Sequence, residues 1–353
     1  MASPDSHLIP AARLEEFTAE AYRTVGIPAD DAAIIADIST RIDLRGLDGH
    51  GIFRLPQYIE RIQAGGITIN PNITIAKETA STALIDGDNA AGHLAVNKAV
   101  QVAMDKAAEN GVAWAGTKNS NHAGAASVYA MMPMQRDMIG IYIAVGSANH
   151  LPPWGGIEML LSTNPIAVAI PGLEEPPIVL DMATTVAAYG KVKTAAQRGE
   201  TMPEGWMIDK EGNPLTDPTR SDEGFLLPIG GYKGYGLALI FGLLAGTLNG
   251  AAMGKDVVDF NADNSTPTNT GQMVIAFDIK AFHDVEAFKR NVDTVIRTMK
   301  SSPTLPGFDE VMLPGEQSHE KMQRLARDGV PVKDVLLKKL DKLAADLKID
   351  PLV

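Results

Sequence analysis

The order of helix and strand patterns along the chain is the feature that most limits its fold. Apolar residues recur at helical spacing up to residue 62 and again from residue 285 to residue 347, while short apolar runs bounded by glycine or proline fill much of the middle. The pattern predicts helices over residues 11–25, 31–45, 55–62, 94–110, 125–136, 232–247, 285–299 and 333–347. It predicts strands over residues 82–87, 112–116, 139–145, 165–170, 177–181 and 273–278. Such a chain is of the α/β class, with helices at both ends and a strand-rich middle.

The length and composition limit the number of domains and the kinds of partner. At 353 residues the chain is longer than one ordinary core requires, so two or three domains are expected. Residues 197–228 are polar and rich in proline and glycine, which predicts a surface excursion or a lid. The formal net charge of −12 argues against general binding to nucleic acid or to an anionic membrane. The chain has no cysteine, which rules out disulfides and thiolate chemistry.

Targeting and membrane signals are not visible in the sequence. Residues Met1–His7 lack the basic and apolar regions of a secretory signal. The apolar run from Leu237 to Leu248 is too short and too rich in glycine to cross a bilayer. We therefore expect a cytoplasmic protein with no membrane contact.

The segment Asp48-Gly49-His50-Gly51, followed by Arg54, is the first candidate for chemistry. Histidine exchanges a proton near neutral pH, and arginine offers a fixed fork of donors that matches a carboxylate. Glycines on both sides of His50 permit close approach of a ligand. The pair suits proton transfer at the α-carbon of a small acid. Alternatively, His50 fills a helix junction and Arg54 is a solvated surface charge.

The usual glycine fingerprints of nucleotide-binding proteins are missing. Neither G-x-G-x-x-G after a strand nor the P-loop pattern G-x-x-x-x-G-K-[ST] occurs. The seven histidines form no H-E-x-x-H or similar ligand spacing, so no metal site is predicted. Glycines alone therefore give no reason to predict a nicotinamide enzyme.

Six further motifs follow His50 in order and together resemble one family. They are Asn119–Ala126 around His122, Pro153–Gly156, Thr163–Pro165, Asp181–Thr185, Gly231–Gly236 and Leu313–Glu316. The series resembles the malate/L-lactate dehydrogenase family of the non-Rossmann type, over residues 14–340. The resemblance implies an α/β fold with a non-Rossmann, mixed and largely antiparallel sheet flanked by helices, and a helical domain built from both chain ends. It implies a helical, catalytic and dimerisation domain of residues 1–75 plus 300–353, and a cofactor-binding sheet domain of residues 76–299.

The resemblance also implies an activity. Family members are oxidoreductases that transfer a hydride between NAD or NADP and the α-carbon of a small 2-hydroxy or 2-oxo acid, so we expect a small carboxylate substrate and a homodimer. The alternative within the family is a ketimine reductase, which reduces the C=N bond of a cyclic or N-alkyl imino acid. A third possibility is a non-catalytic homologue. Such a protein would have no need of five ionisable residues together, which here are His50, Arg54, His122, Asp181 and Lys233.

The resemblance assigns roles to individual residues of this chain. His50 matches the family's proton donor, and His122 matches a second histidine that is either catalytic or a structural support for its loop. Asp181, after the apolar run 178–180, could orient an imidazole or cap the next helix. Arg54 would bind the substrate carboxylate, with Thr163 and His150 as further substrate contacts.

Nine positions match family segments that contact the cofactor. They are Ser147, Asp181, Met182, Ala183, Tyr232, Lys233, Pro314, Gly315 and Glu316. Lys233 stands at the start of a predicted helix, where free N–H groups and the helix dipole attract phosphate. Its alternative is a surface lysine beside a glycine turn.

Three positions depart from the family pattern. Gly49 replaces the serine that many members carry directly before the catalytic histidine, and Tyr189 replaces an arginine. His150 stands in a loop where no histidine is expected, either as a specificity residue or as an ordinary loop residue. These departures leave the identity of the substrate open.

Overall fold

The structure, a computed structural model, describes residues 6–353 apart from the side chain of Gln197. The helices are α1 (Ala11–Thr24), α2 (Ala29–Leu44), α3 (Leu55–Gln63), α4 (Gly92–Asn110), α5 (Ala126–Met131), α6 (Tyr189–Arg198), α7 (Tyr232–Ala245), α8 (Val285–Lys300), α9 (Glu316–Asp328) and α10 (Asp334–Leu347). The strands are β1 (Ser6–Ile9), β2 (Thr74–Glu78), β3 (Thr82–Asp86), β4 (Val112–Lys118), β5 (Met138–Ala144), β6 (Asn149–Leu151), β7 (Leu161–Ser162), β8 (Ile166–Ile170), β9 (Ile178–Met182), β10 (Met207–Asp209), β11 (Gly224–Leu226), β12 (Gln272–Asp278) and β13 (Val330–Lys333).

A seven-stranded sheet forms the centre of the protein. Its strand order is β2-β3-β4-β12-β5-β8-β9. Only the pair β3–β4 is parallel, and α4 makes the crossover between these two strands. The other neighbours are antiparallel. The prediction of a mixed, largely antiparallel sheet flanked by helices is therefore confirmed.

Two large clusters of buried residues lie on either side of α4. One packs α4 and α5 against the sheet through small and branched side chains such as Ala99, Val100 and Val274. The other is helical and combines both ends of the chain, because Leu14 and Phe17 of α1 share it with Leu340 of α10. Strand β1 pairs with β13 in the same region. The core thus joins residues from both chain ends, as the sequence predicted, while the exact division into two domains stays a prediction.

The excursion predicted over residues 197–228 folds as a small unit with its own core. Helix α6 precedes it, and β10 pairs with β11. Val192, Met207 and Leu226 are buried together there. The sequence pattern missed α6 because a ten-residue helix with three basic residues shows little apolar periodicity.

Several predicted boundaries differ from the structure for local reasons. The helix predicted over residues 125–136 changes to a 3₁₀ turn after Met131, since Pro133 removes a backbone donor. Strand β2 is fully exposed and β1 is short, so neither shows the alternation that would reveal it. Helix α9 buries only Leu325 and was also missed. Within residues 6–353, no helix combines the length and apolarity that crossing a bilayer needs.

Candidate active site

The His50 loop follows α2 and is fixed by a buried carboxyl group. Asp43, near the end of α2, is 5% exposed and accepts a hydrogen bond from the Ile52 N–H at 2.9 Å. Gly51 packs so closely on this carboxyl that an added Cβ would overlap it. Burial raises the pKa of Asp43 to about 7, although the Ile52 N–H bond works in the opposite direction. The glycine after His50 is therefore required by close packing against Asp43.

Helix α3 presents Arg54, the predicted substrate-binding arginine, and three other polar residues on one face. Arg54 at its start is followed by Gln57, Tyr58 and Arg61, which is the spacing of neighbours along one side of a helix. Their side chains hold the loop of residues 259–266. Gln57 donates to the Phe260 carbonyl at 2.7 Å, and Arg61 donates to the Thr266 carbonyl at 2.9 Å. One short helix thus brings a distant loop to the His50 segment.

The two predicted histidines lie next to each other. The rings of His50 and His122 are stacked with centroids 5.9 Å apart and planes 20° apart. Nδ1 of His122 is 2.6 Å from the Tyr58 hydroxyl and accepts the Gly124 N–H at 3.4 Å. Because a backbone N–H can only donate, Nδ1 carries no proton, the Tyr58 hydroxyl donates to it, and Nε2 carries the proton. Tyr58 therefore fixes both the tautomer and the orientation of His122.

Burial and positive charge keep both imidazoles neutral. Burial, together with the smaller effect of the Arg54 charge, lowers the pKa of His50 to about 4. Burial also lowers the pKa of His122 well below its ordinary value, again with Arg54 as the largest neighbouring charge. A carboxylate bound at Arg54 would offset this charge and raise both pKa values. Arrival of an acidic substrate would thereby favour proton uptake by the histidine pair.

Phe260 and His93 complete the walls around the histidine pair. The Phe260 ring lies 5.0 Å from the His122 ring, and the Arg54 guanidinium lies 5.9 Å from the Phe260 centroid. His93 is fully buried and meets Tyr58 edge-on at 5.2 Å. Burial lowers its pKa to about 4. These side chains exclude water from one side of the imidazoles, which strengthens electrostatic interactions there.

Arg54 is partly engaged by protein groups. Its Nε donates to the Gly49 carbonyl at 3.0 Å, and its Nη1 donates to Gln57 at 3.0 Å and to Asn261 at 2.9 Å. Nη2 makes no hydrogen bond within the described residues. The guanidinium is thus held in place, and Nη2 is the one nitrogen without a protein partner among the described residues. A bidentate contact with a carboxylate would require one of the existing bonds to Arg54 to break.

Asp181 lies away from the histidine pair. Its carboxylate accepts the Ser127 N–H at 3.0 Å, and the nearest charge is that of Arg45. Although part of the residue is open to solvent, the dense protein around its carboxyl raises its pKa, and the bonds from Ser127 lower it. The structure therefore shows Asp181 supporting the start of α5, and the prediction that it orients an imidazole has no contact to support it in the part of the chain described.

Asp181 instead lines a pocket with two other predicted cofactor residues. The pocket measures about 170 Å³ and includes Asp181, Pro314, Gly315, Arg45 and Ser127. The Pro314 carbonyl accepts the Val179 N–H at 2.9 Å, which joins the 314–316 segment to β9. One buried polar atom at this pocket, Nε of Arg45, has no hydrogen-bond partner in the described structure, while the Ser127 hydroxyl acts on the Asp181 carboxylate. Such atoms are normally satisfied, so the pocket has the character of a polar ligand site.

The remaining predicted cofactor residues differ in their accessibility. Glu316 is the first residue of α9, accepts the Leu313 N–H at 2.9 Å and forms an ion pair with Lys300, so its carboxylate is already engaged. Tyr232 and Lys233 begin α7, as predicted, and both are exposed outside the pocket. Their helix is joined to the Asp181 segment through the Ile229 N–H, which donates to the Thr184 carbonyl at 2.9 Å.

Ser147 and Thr163 lie on adjoining loops between the pocket and the histidine pair. The Ser147 carbonyl accepts the Phe260 N–H at 2.9 Å, and the Ser147 hydroxyl is buried without a partner. The Thr163 carbonyl accepts both the N–H and the hydroxyl of Thr184 at 2.9 Å. Met182 ends β9 and Ala183 directly follows it. The structure thus brings these segments together, and the Thr163 carbonyl binds Thr184 of the Asp181–Thr185 segment.

Sequence reasoning missed four residues that shape the site: Tyr58, Phe260, Arg45 and Ser127. The i, i+3, i+4, i+7 spacing of polar residues along α3 could have identified Tyr58. Nothing local marks the other three, since each acts through a contact with a remote segment. Among the residues described, no group of three or more His, Cys, Asp or Glu side chains could hold a metal ion.

The chain is similar to known dehydrogenases over nearly its whole length. Residues 9–341 match the family model described as malate/L-lactate dehydrogenase. The chain is 39% identical over 326 residues to malate/(S)-sulfolactate dehydrogenase from Methanothermus fervidus, which covers 92% of this chain and 94% of that protein. It is 34% identical over 309 residues to ureidoglycolate dehydrogenase (NAD(+)) from Escherichia coli, covering 88% of each.

A solved structure shares the fold. The sulfolactate dehydrogenase from Methanocaldococcus jannaschii superposes with a TM-score of 0.91 and 37% identity, covering 98% of each chain. The similarity confirms the resemblance that the ordered motifs indicated, and it confirms the predicted sheet type.

Proposed function

Because this chain belongs to the malate/L-lactate dehydrogenase family, we propose that it interconverts a small 2-hydroxy acid and its 2-oxo acid with NAD or NADP as hydride carrier. The observation that supports this most directly is the stacked pair of His50 and His122 beside Arg54. Two neutral imidazoles next to one fixed cation suit proton transfer at the oxygen of an α-substituted carboxylate.

The side chains divide the work as follows in our proposal. Arg54 binds the α-carboxylate and positions the α-carbon. His50 accepts the hydroxyl proton during oxidation and returns it to the oxygen during reduction, because its ring makes no hydrogen bond to the described part of the protein. His122, fixed by Tyr58, packs against His50 and holds it at the reacting oxygen. A substrate carboxylate bound at Arg54 neutralises its charge, which raises the pKa values of His50 and His122 and favours proton uptake.

In our proposal the dinucleotide binds at the pocket beside Asp181. Arg45 offers an unsatisfied donor for a phosphate or ribose oxygen, and Pro314 and Gly315 line the same pocket. Arg45 also lines an adjoining groove of about 450 Å³ with apolar methionine walls, so the two spaces together suit an elongated ligand with an aromatic end. The nicotinamide end of the bound cofactor would supply the hydride at the α-carbon of the substrate that Arg54 holds.

The test is oxidation of NADH and NADPH, followed by absorbance, against a panel of 2-oxo acids with wild-type protein and with His50→Ala. We expect turnover by wild type and a loss of about 10²–10⁴-fold in kcat for His50→Ala, with cofactor affinity retained. His122→Ala should lose less, since Arg54 and His50 remain. Near-normal turnover by His50→Ala would refute the assignment of the proton to His50.

The same panel with methylamine or ammonia added tests the rival activity. A ketimine reductase would consume cofactor only when the amine is present or with a cyclic imino acid. The predicted homodimer and cytoplasmic location rest on the family resemblance and on the sequence, and both stay predictions. Sedimentation velocity of the purified protein would test the dimer.

A further inference from the structure

A second cluster of polar rings and charge lies at the start of α6, and the proposed reaction does not use it. The His150 ring stacks on the Tyr189 ring with centroids 4.2 Å apart and planes 13° apart. Lys193, one helical turn further along α6, places its Nζ 5.4 Å from the Tyr189 centroid. Two of the three positions at which the sequence departs from the family pattern, His150 and Tyr189, are therefore in direct contact.

This cluster adjoins the histidine pair. Ser147 accepts the N–H of Phe260, whose ring packs on His122 at 5.0 Å. His150 is three residues after Ser147, a separation that spans at most about 10 Å. The loop that carries Phe260 also contacts Arg54, because Arg54 Nη1 donates to Asn261 at 2.9 Å. Arg54 and the segment that carries His150 are therefore both connected to the loop of residues 259–261.

The polar atoms of the cluster are free to bind a ligand. The ring nitrogens of His150 make no hydrogen bond, and Lys193 makes no ion pair, with the residues that the structure describes. Stacking on Tyr189 fixes the plane of the His150 ring while leaving its nitrogens at the edge. The Tyr189 face in turn attracts the Lys193 ammonium and holds it near His150. The arrangement provides one N–H donor and one positive charge in addition to those of Arg54.

We propose that His150 and Lys193, positioned by Tyr189, bind a second anionic group of the substrate. This inference rests on the proposed function and deepens it. Arg54 would bind the α-carboxylate, and the His150 cluster would bind a carboxylate or sulfonate at the far end of the molecule. The preferred substrate is then a dianionic 2-oxo or 2-hydroxy acid, and a monoanionic acid of similar size lacks the second contact.

The experiment compares kcat/KM for two dianions, oxaloacetate and 3-sulfopyruvate, with that for two monoanions, pyruvate and 2-oxobutanoate. Wild type should prefer at least one dianion by about tenfold or more. Lys193→Met should remove about tenfold from the preferred dianion and leave the monoanions within about twofold. Lys193→Arg, which keeps the charge, should restore most of the loss.

Arg198→Met is the matched control, because it removes an exposed positive charge from the last turn of the same helix. It should leave kcat/KM unchanged for all four acids. His150→Leu should lower kcat/KM for the dianion selectively, like Lys193→Met. Which dianion responds identifies the distal group as carboxylate or sulfonate.

Three results would overturn the inference. The first is a wild type without preference for a dianion, the second is an equal loss of kcat/KM for all four acids in Lys193→Met, and the third is a Lys193→Met variant that behaves like Arg198→Met. In each case turnover of 2-oxo acids would still support the proposed function. If wild type turned over none of the four acids, the proposed function and this inference would both fail.

Discussion

Asp43 offers a sharp test of how the His50 loop is held, since its carboxyl is buried and bonded to the Ile52 N–H. Its pKa is raised to about 7, from an ordinary value of 3.8, chiefly by burial. A carboxyl with a higher pKa in the folded protein binds its proton more tightly there than in the unfolded chain. Its contribution to the unfolding free energy is therefore present at low pH and is lost as the pH rises from about 4 to about 7.

The size of this contribution follows from the two pKa values. One pKa unit corresponds to about 1.4 kcal/mol, so full ionisation of Asp43 costs about 4 kcal/mol, of which about 3 kcal/mol falls between pH 5 and pH 8. Asp43→Asn keeps an oxygen for the Ile52 N–H and does not ionise. Relative to wild type, this variant should gain about 3 kcal/mol in unfolding free energy on going from about pH 5 to about pH 8.

The assay is urea unfolding of both proteins at the two pH values. His50, His93 and His150 have lowered pKa values and stabilise the fold as pH rises over the same range, so only the difference between variant and wild type isolates Asp43. Asp346→Asn, at an exposed carboxyl of α10, is the control, and its difference from wild type should change by less than about 0.5 kcal/mol between the two pH values. A variant difference that is the same at both pH values would refute the reasoning.

Two further predictions concern the packing and the tautomer at this site. Gly51→Ala should destabilise the protein by about 1–3 kcal/mol in thermal or urea unfolding, because its Cβ would overlap a buried carboxyl; Gly49→Ala, which meets no atom within 4 Å, is the control, and equal losses would contradict the packing argument. Tyr58→Phe should lower kcat about tenfold with little change in KM, because His122 loses its 2.6 Å donor. Tyr142 is a buried tyrosine without contact to an imidazole, so Tyr142→Phe should leave kcat unchanged. An unchanged kcat in Tyr58→Phe would show that a group other than Tyr58 fixes the tautomer of His122.

The sequence predicted those parts of the fold whose signals are local. Helices with a clear apolar stripe and strands such as β12 were found within a few residues of their observed bounds. Elements that bury little were missed: β2 is fully exposed, and α9 packs through Leu325 alone. Their formation depends on neighbours in space, which periodicity does not reveal.

The site shows the same division between local and remote signals. The structure brings His50, His122 and Arg54 together, since each motif delivers its side chain from a turn or a helix start, while their roles stay predictions. Asp181 was expected at an imidazole, but its carboxylate bonds to the Ser127 N–H, because β9 ends beside α5 and away from α3. Phe260 could not be predicted, since its place beside His122 depends on a loop about two hundred residues away from α3.

The pairing of β1 with β13, and the shared core of α1 and α10, has a consequence for synthesis of the chain. During translation α1 and α2 emerge first, yet Leu14 and Phe17 find their partners around Leu340 only after almost all of the protein has left the ribosome. The helices next to His50 and Arg54 therefore stay incompletely packed until translation of the chain is almost complete. A chain that ended before α10 would expose the apolar surface that α10 normally covers, close to the His50 loop. Chaperones and proteases recognise exposed apolar surfaces of this kind. Release of active enzyme is thus coupled to completion of the polypeptide.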